Sequence, residues 1–319
     1  MQLIYGMTNR IFTIIVLFVF SLSDTRAQID VQFSDFTSLK SYFNPAVSGS
    51  DGKLNVSAAY SMQMVGYDDA PGTMYVGADL PVYFLSPRHG AGLSLYSDKA
   101  GMFSTTKISL QYAYNIKIGV DGRLAFGVNV GMLTEKLDGS KVDLEDTTDP
   151  AFPTTTVDGN SLDLNIGLYY TSPIFWSGLS VMHAMGPTIT AGEKYEVEFP
   201  QSYYFMAGGN IKLKNTLLTL KPSLLLMTDF QTWRKDLQCK IVYEYDGRQF
   251  NGGFNYSPGT STAFMVGGDF HGISLGYSYQ MYTSGIGMLN GSHEIVFGYK
   301  TELDLFKKGR NRHKSVRWL

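Results

Sequence analysis

The chain has 319 residues, with 26 Lys and Arg against 28 Asp and Glu, a formal net charge of −2 and one cysteine. The near-neutral balance leaves no electrostatic footprint for nucleic acid, and a lone Cys239 excludes an intramolecular disulfide framework. Charged residues make up only 17% of the chain, glycine and aromatics are abundant, and no apolar run beyond residue 25 reaches the roughly 18 residues of a membrane-spanning helix.

In chain order, residues 1–27 read as a secretory signal: a weakly basic start ending at Arg10, an apolar core from Ile11 to Leu22, and a small residue, Ala27, before the cleavage point. No cysteine follows that core, which argues against a lipoprotein anchor. Residues 28–52 form an N-terminal lead carrying Phe33, Phe36, Tyr42 and Phe43 ahead of an Asn44-Pro45 turn signal. It is too apolar for a free tail, so it is expected against the lumen wall of a barrel or at its periplasmic rim.

From residue 53 to 301 the chain consists of about fourteen stretches that alternate apolar with small or polar side chains. Ile108, Leu110, Tyr112, Tyr114, Ile116 and Ile118 share one phase against Lys107, Ser109, Gln111, Ala113, Asn115 and Lys117; Leu124, Phe126, Val128, Val130 and Met132 oppose Arg123, Ala125, Gly127, Asn129 and Gly131. A period of two places each set on one face of a strand. Soluble sheets alternate in the same way, so the connections decide. Gly119–Gly122, Thr171–Pro173, Lys214–Thr216, Asp246-Gly247 and His271-Gly272 are tight turns, whereas Gln63–Gly72, Leu137–Gly159, Gly186–Phe199 and Ser284–Gly291 are longer loops at the opposite end. The link from Val82 to His89 fits this asymmetry least well. Short turns at one end, long loops at the other and an even strand count predict an all-β fold: a transmembrane antiparallel β-barrel of about fourteen strands in a bacterial outer membrane, with both termini periplasmic. Residues 302–319 read as a basic periplasmic tail containing Lys307, Lys308, Arg310, Arg312, Lys314 and Arg317.

The phases assign faces. Lys107, Asn115, Lys117, Arg123, Asn129, Asp163, Asn165, Lys221, Glu244 and Asp269 are expected to face the lumen, where a position such as Asn129 should tolerate Arg; Cys239, in phase with Leu237 and Ile241, is expected to face lipid as an unreactive apolar residue. Tyr60, Tyr75, Tyr83, Tyr96, Tyr170, Trp176, Tyr203, Tyr204, Tyr243, Tyr279 and Tyr299 are read as aromatic girdles at the membrane interfaces.

Several ordered segments carry a resemblance: Phe43-Asn44-Pro45-Ala46-Val47-Ser48-Gly49, Gly66-Tyr67-Asp68-Asp69-Ala70-Pro71-Gly72-Thr73, Gly90-Ala91-Gly92-Leu93-Ser94-Leu95-Tyr96-Ser97-Asp98-Lys99-Ala100-Gly101, Tyr112–Gly119 with Arg123–Gly127, and Asp149-Pro150-Ala151-Phe152. On these the chain resembles the PorP/SprF family of type IX secretion system outer-membrane proteins; its second half agrees mainly in strand rhythm. The resemblance implies a role in exporting or anchoring a specific secreted surface protein, such as an adhesin with a C-terminal export domain, in the setting of surface anchoring and gliding motility. It also implies other type IX components as partners. Tyr67, Asp68, Asp69, Pro71, Asp149 and Phe152, in the outward loops, are the expected partner contacts, and the basic tail is a further contact for a periplasmic protein or lipid. Asp68-Asp69 stands where the family more often has small residues, and the basic tail is not a family feature.

Catalysis finds no support in the residues. His89, His183, His271 and His293 lie on separate strands or turns without a local partner, and no nucleophile elbow, phosphate loop or paired-cysteine site occurs. No catalytic residue and no cofactor is expected. Asp143, Glu145, Asp146 and Asp149 form a weak calcium candidate whose spacing is not that of an EF-hand loop. The alternatives to an export accessory are a passive channel and a hydrophobic-solute transporter, and the polar lumen set speaks against the transporter.

Overall fold

The computed structural model describes residues 32–82, 88–139, 155–192, 195–214, 217–283 and 291–302. Its strands are β1 (Leu54–Met62), β2 (Gly72–Pro81), β3 (His89–Ala100), β4 (Phe103–Ile118), β5 (Gly122–Asp138) and β6 (Thr156–Thr171). Then come β7 (Phe175–Met182), β8 (Thr188–Ala191), β9 (Tyr195–Glu198), β10 (Ser202–Gly209), β11 (Ile211–Lys212) and β12 (Leu218–Thr228). The last are β13 (Trp233–Tyr245), β14 (Arg248–Ser257), β15 (Ser261–Phe270), β16 (Ile273–Tyr282) and β17 (Ser292–Thr301). Fourteen of them, β1 to β7, β10 and β12 to β17, form a closed antiparallel barrel. The ring closes where β1 pairs with β17, β7 with β10 and β10 with β12. Closure removes sheet edges and pairs every strand within the wall, which an apolar solvent requires.

The alternation becomes two faces as expected. Leu110 is 67% exposed and Phe126 50%, both on the outer wall, while Ser109, Gln111, Ala125 and Gly127 point inward and are buried. Cys239 is a free thiol, partly covered, in the phase opposite buried Gln238 and Lys240. The awkward 82–88 link still closes its strand pair, because the Val82 N–H donates to the His89 carbonyl at 2.7 Å.

One loop expectation changes. The segment from Gly186 to Phe199 holds the hairpin β8–β9, whose Ile189 and Phe199 pack against Leu133 of β5 in an apolar cluster. β6 pairs with β7 only over Ile166–Thr171, so β5 and β6 rise past β7 at the long-loop end and provide the wall on which the hairpin rests. β4 to β6 run 16, 17 and 16 residues, longer than the about 9–11 needed to cross a bilayer. The aromatic assignment also changes in part: Tyr75, Tyr96, Trp176 and Tyr204 face inward and pack with a core, whereas Tyr60 and Tyr243 are exposed on the outer wall. Tyr83 lies outside the described residues.

Candidate functional site

The lumen is occupied by the chain's own residues 33–50. Three short helical turns, Phe36–Ser38, Lys40–Phe43 and Pro45–Val47, compact this segment. The first is capped by Asp35, which accepts from Ser38 N, and the third by Asn44, which accepts from Ala46 N at 2.9 Å. Phe33, Phe36, Leu39 and Phe43 are each no more than 2% exposed, and they share one core with Met182, Met206, Met227 and Tyr204 on the barrel wall. Flexible thioethers fit the irregular gaps around these rings. Tyr42 meets Phe43 edge-on at 4.9 Å and Tyr75 at 5.2 Å. Each fully buried side chain of this size contributes about 1.5–3 kcal/mol.

Polar anchors fix the register of the lead. The Asn44 side-chain amide donates to the carbonyls of Leu168 at 3.0 Å and Leu179 at 3.1 Å, bridging β6 and β7. Ser180 Oγ donates to the Phe43 carbonyl at 2.6 Å, Ser48 Oγ to Gln111 at 2.7 Å, and Gly49 N–H to Asp79 at 2.8 Å. At the other end of the lead, Glu294 accepts from the N–H groups of Ser34 and Asp35 at 2.7 and 3.0 Å, and Lys240 reaches the Asp35 carboxylate at 2.6 Å. Burial would raise the Asp35 carboxyl, but attraction to Lys240 and hydrogen bonds from Lys240, Ser38 and Gln238 outweigh it and hold the group below its ordinary value. Wall glycines leave the space: a Cβ on Gly127 would collide with Pro45 and Ala46, and one on Gly167 with the Asn44 side chain.

The lead lies between two cavities. At the short-turn end a chamber of about 670 Å³ is lined by Lys40, Lys221, Lys240, Lys300, Arg123 and Trp176 among others. Burial, then repulsion from Lys300 and Lys221, push the Lys40 ammonium down to about 7, although its Nζ sits 3.7 Å above the Trp176 ring, a contact that favours the cation. On the other side of the lead a small gap of mixed lining lies between Tyr42, Tyr75, Met182 and Phe199 and the polar side chains of Gln111, Asn129 and Asn165. Here Asp163 pairs with Lys107 and stands 3.1 Å from His183 Nδ1. His183 therefore faces the lumen beside a carboxylate from β6 that its own neighbourhood in sequence does not reveal.

The expected lumen residues divide by depth. Lys107, Asn115, Asn129, Asp163 and Asn165 are buried inside the barrel, and Lys221 and Asp269 line the chamber. Arg123 donates to the Ser50 carbonyl at 2.7 Å from the short-turn rim, where Lys117 and Glu244 are exposed. Asn129 is 3% exposed, donates to Ser109 Oγ at 2.9 Å and borders the small gap beside Tyr42, so it faces a nearly filled bore and not an open lumen. In the first long loop, Tyr67, Asp68 and Asp69 are exposed and Pro71 is half-buried; Asp69 has φ +51° and its carbonyl accepts from Gly101 at 3.3 Å. Asp149 and Phe152, together with Asp143, Glu145 and Asp146, lie outside the described residues, as does the basic tail. Among the described residues, no cluster of three or more metal-ligating side chains occurs. Asp35, Lys40, Asn44, Lys240 and Glu294 escaped the sequence reading as a group. Lys240 and Glu294 do occupy inward phases, which is the one signal that could have found them.

Solved structures with a similar course include a Pseudomonas aeruginosa FadL homologue, 12% identical over 82% of this chain and 93% of that one, with a TM-score of 0.48. The CymD monoaromatic hydrocarbon channel is 11% identical over 82% and 91%, with a TM-score of 0.49, and the P. putida toluene transporter TodX 10% identical over 82% and 92%, with a TM-score of 0.44. No curated protein matches the sequence. The model of the family described as type IX secretion system membrane protein PorP/SprF matches residues 25–299, and with the closed barrel around that same span it establishes that this chain is an outer-membrane β-barrel belonging to the PorP/SprF family.

Proposed function

We propose that this protein is a dedicated accessory barrel that helps export or anchor one secreted surface protein, and that it engages that cargo or its C-terminal export domain at the long-loop end. The observation that supports this reading is the occupied lumen. A passive channel needs an aqueous path, yet Phe33 to Ser50 fill the bore with buried aromatics and satisfied hydrogen bonds, and β8–β9 packs in the outward mouth. A hydrophobic-solute transporter needs an apolar inner pocket, and the larger residual space here carries five basic and five acidic side chains, while the second, beside Tyr42 and Phe199, is small. What remains for a partner is the rim, where Tyr67, Asp68 and Asp69 are exposed. Loops on a rigid scaffold are where specificity varies at least cost to folding. With an even number of spans both termini lie in the periplasm, so the basic tail faces other type IX components. The barrel is a binding scaffold with no catalytic role.

Crosslinking in native membranes followed by purification through this chain tests the reading: a large secreted protein should be recovered at the long-loop end, bonded through the 63–71 loop. Recovery of the barrel alone, with ion conductance in planar bilayers typical of an open pore, would replace the accessory reading by the channel.

A further inference from the structure

The chamber at the short-turn end is lined by five basic side chains, Lys40, Arg123, Lys221, Lys240 and Lys300, and five acidic ones, Asp35, Asp51, Asp79, Asp121 and Asp269, but the four lysines gather as one group within it. Lys221 of β12 stands directly opposite Lys240 of β13 on the inward face of one ladder, an arrangement that is destabilising without a countercharge. Lys40 enters the same space from the lead and Lys300 from β17. Two carboxylates reach the group. Asp35 is taken by Lys240 at 2.6 Å and Asp51 by Lys300 at 3.2 Å. Of the other acids on the chamber wall, Asp79 accepts from Gly49 N–H at 2.8 Å and Asp269 from Gly272 N–H at 3.2 Å, while Asp121 is exposed in the turn after β4. Among the described residues neither Lys40 nor Lys221 has a carboxylate within ion-pair distance; Glu244, on the exposed rim, acts on Lys221 only from farther away. The space between them is about 670 Å³, within the range of small-molecule sites, and turn residues such as Ser172 and Pro173 border its opening.

We infer that this chamber is a binding site for a small, multiply charged oxyanion, held between Lys40 of the lead and Lys221 of the wall. Trp176 beneath Lys40 supplies an apolar floor that keeps the ammonium in place. Such a ligand would join the lead to the barrel by charge, in addition to the Asp35–Lys240 pair, and so would stabilise the occupied lumen by mass action. Two-point contact favours a divalent or higher anion over chloride. Because Lys40 is buried and faces Lys300, Lys221 and Lys240 with Asp51 as the offsetting carboxylate, it loses its proton easily, and the site weakens as pH rises through about 7.

Sulfate is a suitable probe because its charge is constant across the relevant range. Calorimetric titration of the detergent-purified full chain at low ionic strength should show saturable binding of one sulfate, with affinity about tenfold lower at pH 8 than at pH 6, as expected if binding requires a group titrating near 7. Lys221→Gln should weaken binding at least fivefold, by the loss of one of two charge-assisted contacts. Lys40→Arg should retain affinity at pH 6 and lose the pH dependence, which a merely structural lysine would not do. Lys212→Gln, outside the chamber, should bind as the parent does. Heat-modifiable gel mobility reports whether each variant has kept its barrel. Absence of saturable binding to the parent, or parental affinity in Lys221→Gln, overturns the site; binding of a hexa-aspartate peptide without binding of sulfate overturns its assignment to a small anion.

Discussion

At the scale of single residues, two kinds of position carry the design. On the outer wall a side chain meets lipid, so Leu110→Arg or Phe126→Arg should cost about 2–4 kcal/mol near the bilayer midplane, read as a shift of the urea midpoint in refolding into vesicles. Gln249→Arg, which points into the open chamber, should stay within about 1 kcal/mol of the parent, because a solvated charge there avoids lipid. Equal losses at all three positions would contradict the division of faces. Inside, the glycines that make room for the lead are the sensitive class. Gly127→Ala should displace Pro45 and Ala46 without opening the wall. Limited proteolysis should then cleave between residues 33 and 50 while the barrel keeps its heat-modifiable mobility. Asn44→Ala should act in the same direction, since it leaves the Leu168 and Leu179 carbonyls without their donor at a cost of about 1–3 kcal/mol.

At the scale of elements, the lead and the hairpin β8–β9 behave as inserts in a preformed cylinder. Removing residues 33–50 should convert a poorly conducting barrel into a conducting one in planar bilayers, because a fourteen-strand wall is wide enough for water once its contents are gone. Unchanged conductance would mean that the outward mouth, not the lead, sets the barrier. The lead should also respond to pH in two windows. Asp35 is held below its ordinary value of 3.8, so the stability it contributes is present above that value and is lost only as pH falls below it. Lys40 is pushed down from 10.5 to about 7, so the folded state pays to keep it charged; in anion-free buffer docking of the lead should tighten as pH rises from 7 towards 10. Hydrogen exchange at the amides of residues 40–48 measures both, and Lys40→Met should flatten the alkaline window alone.

At the scale of the molecule, a closed wall leaves its two rims as places where another protein can add contacts without disturbing the fold. Deleting residues 140–156 should leave barrel assembly intact and abolish surface retention of one secreted protein; retention unchanged in a well-folded deletion would move the contact to the 63–71 loop or to the wall. Truncation after Phe306 addresses the opposite rim. Each basic residue near an anionic surface is worth on the order of 1 kcal/mol, falling with salt over roughly a Debye length. A periplasmic protein that co-purifies with the full chain at low salt should therefore be lost on truncation and at high salt, and identical partner sets in every condition would leave the tail without a docking role.

The alternation of Ile108 to Ile118 against Lys107 to Lys117, and the contrast between Asp246-Gly247 and the long 137–159 connection, were enough by themselves to determine a closed barrel with one apolar face, because strand period and turn chemistry are local properties. The family was equally legible in Phe43–Gly49 and the segments that follow it. Other features depend on residues distant in sequence. Nothing around Asn44 specifies Leu168 and Leu179 as its partners, and nothing around Lys40 announces Lys221, Lys240 and Lys300. Period two places an inward side chain on the lumen face, but it carries no information about what fills the lumen. Hence Asn129 reads as a solvated wall residue and is in fact buried, and Tyr75, Tyr96, Trp176 and Tyr204 read as interface aromatics and in fact pack inside. Only barrel closure, which brings β4, β6, β13 and β17 around one bore, decides those contacts. The physical reason is that burial and electrostatics depend on distance in space, whereas the sequence pattern records only order along the chain.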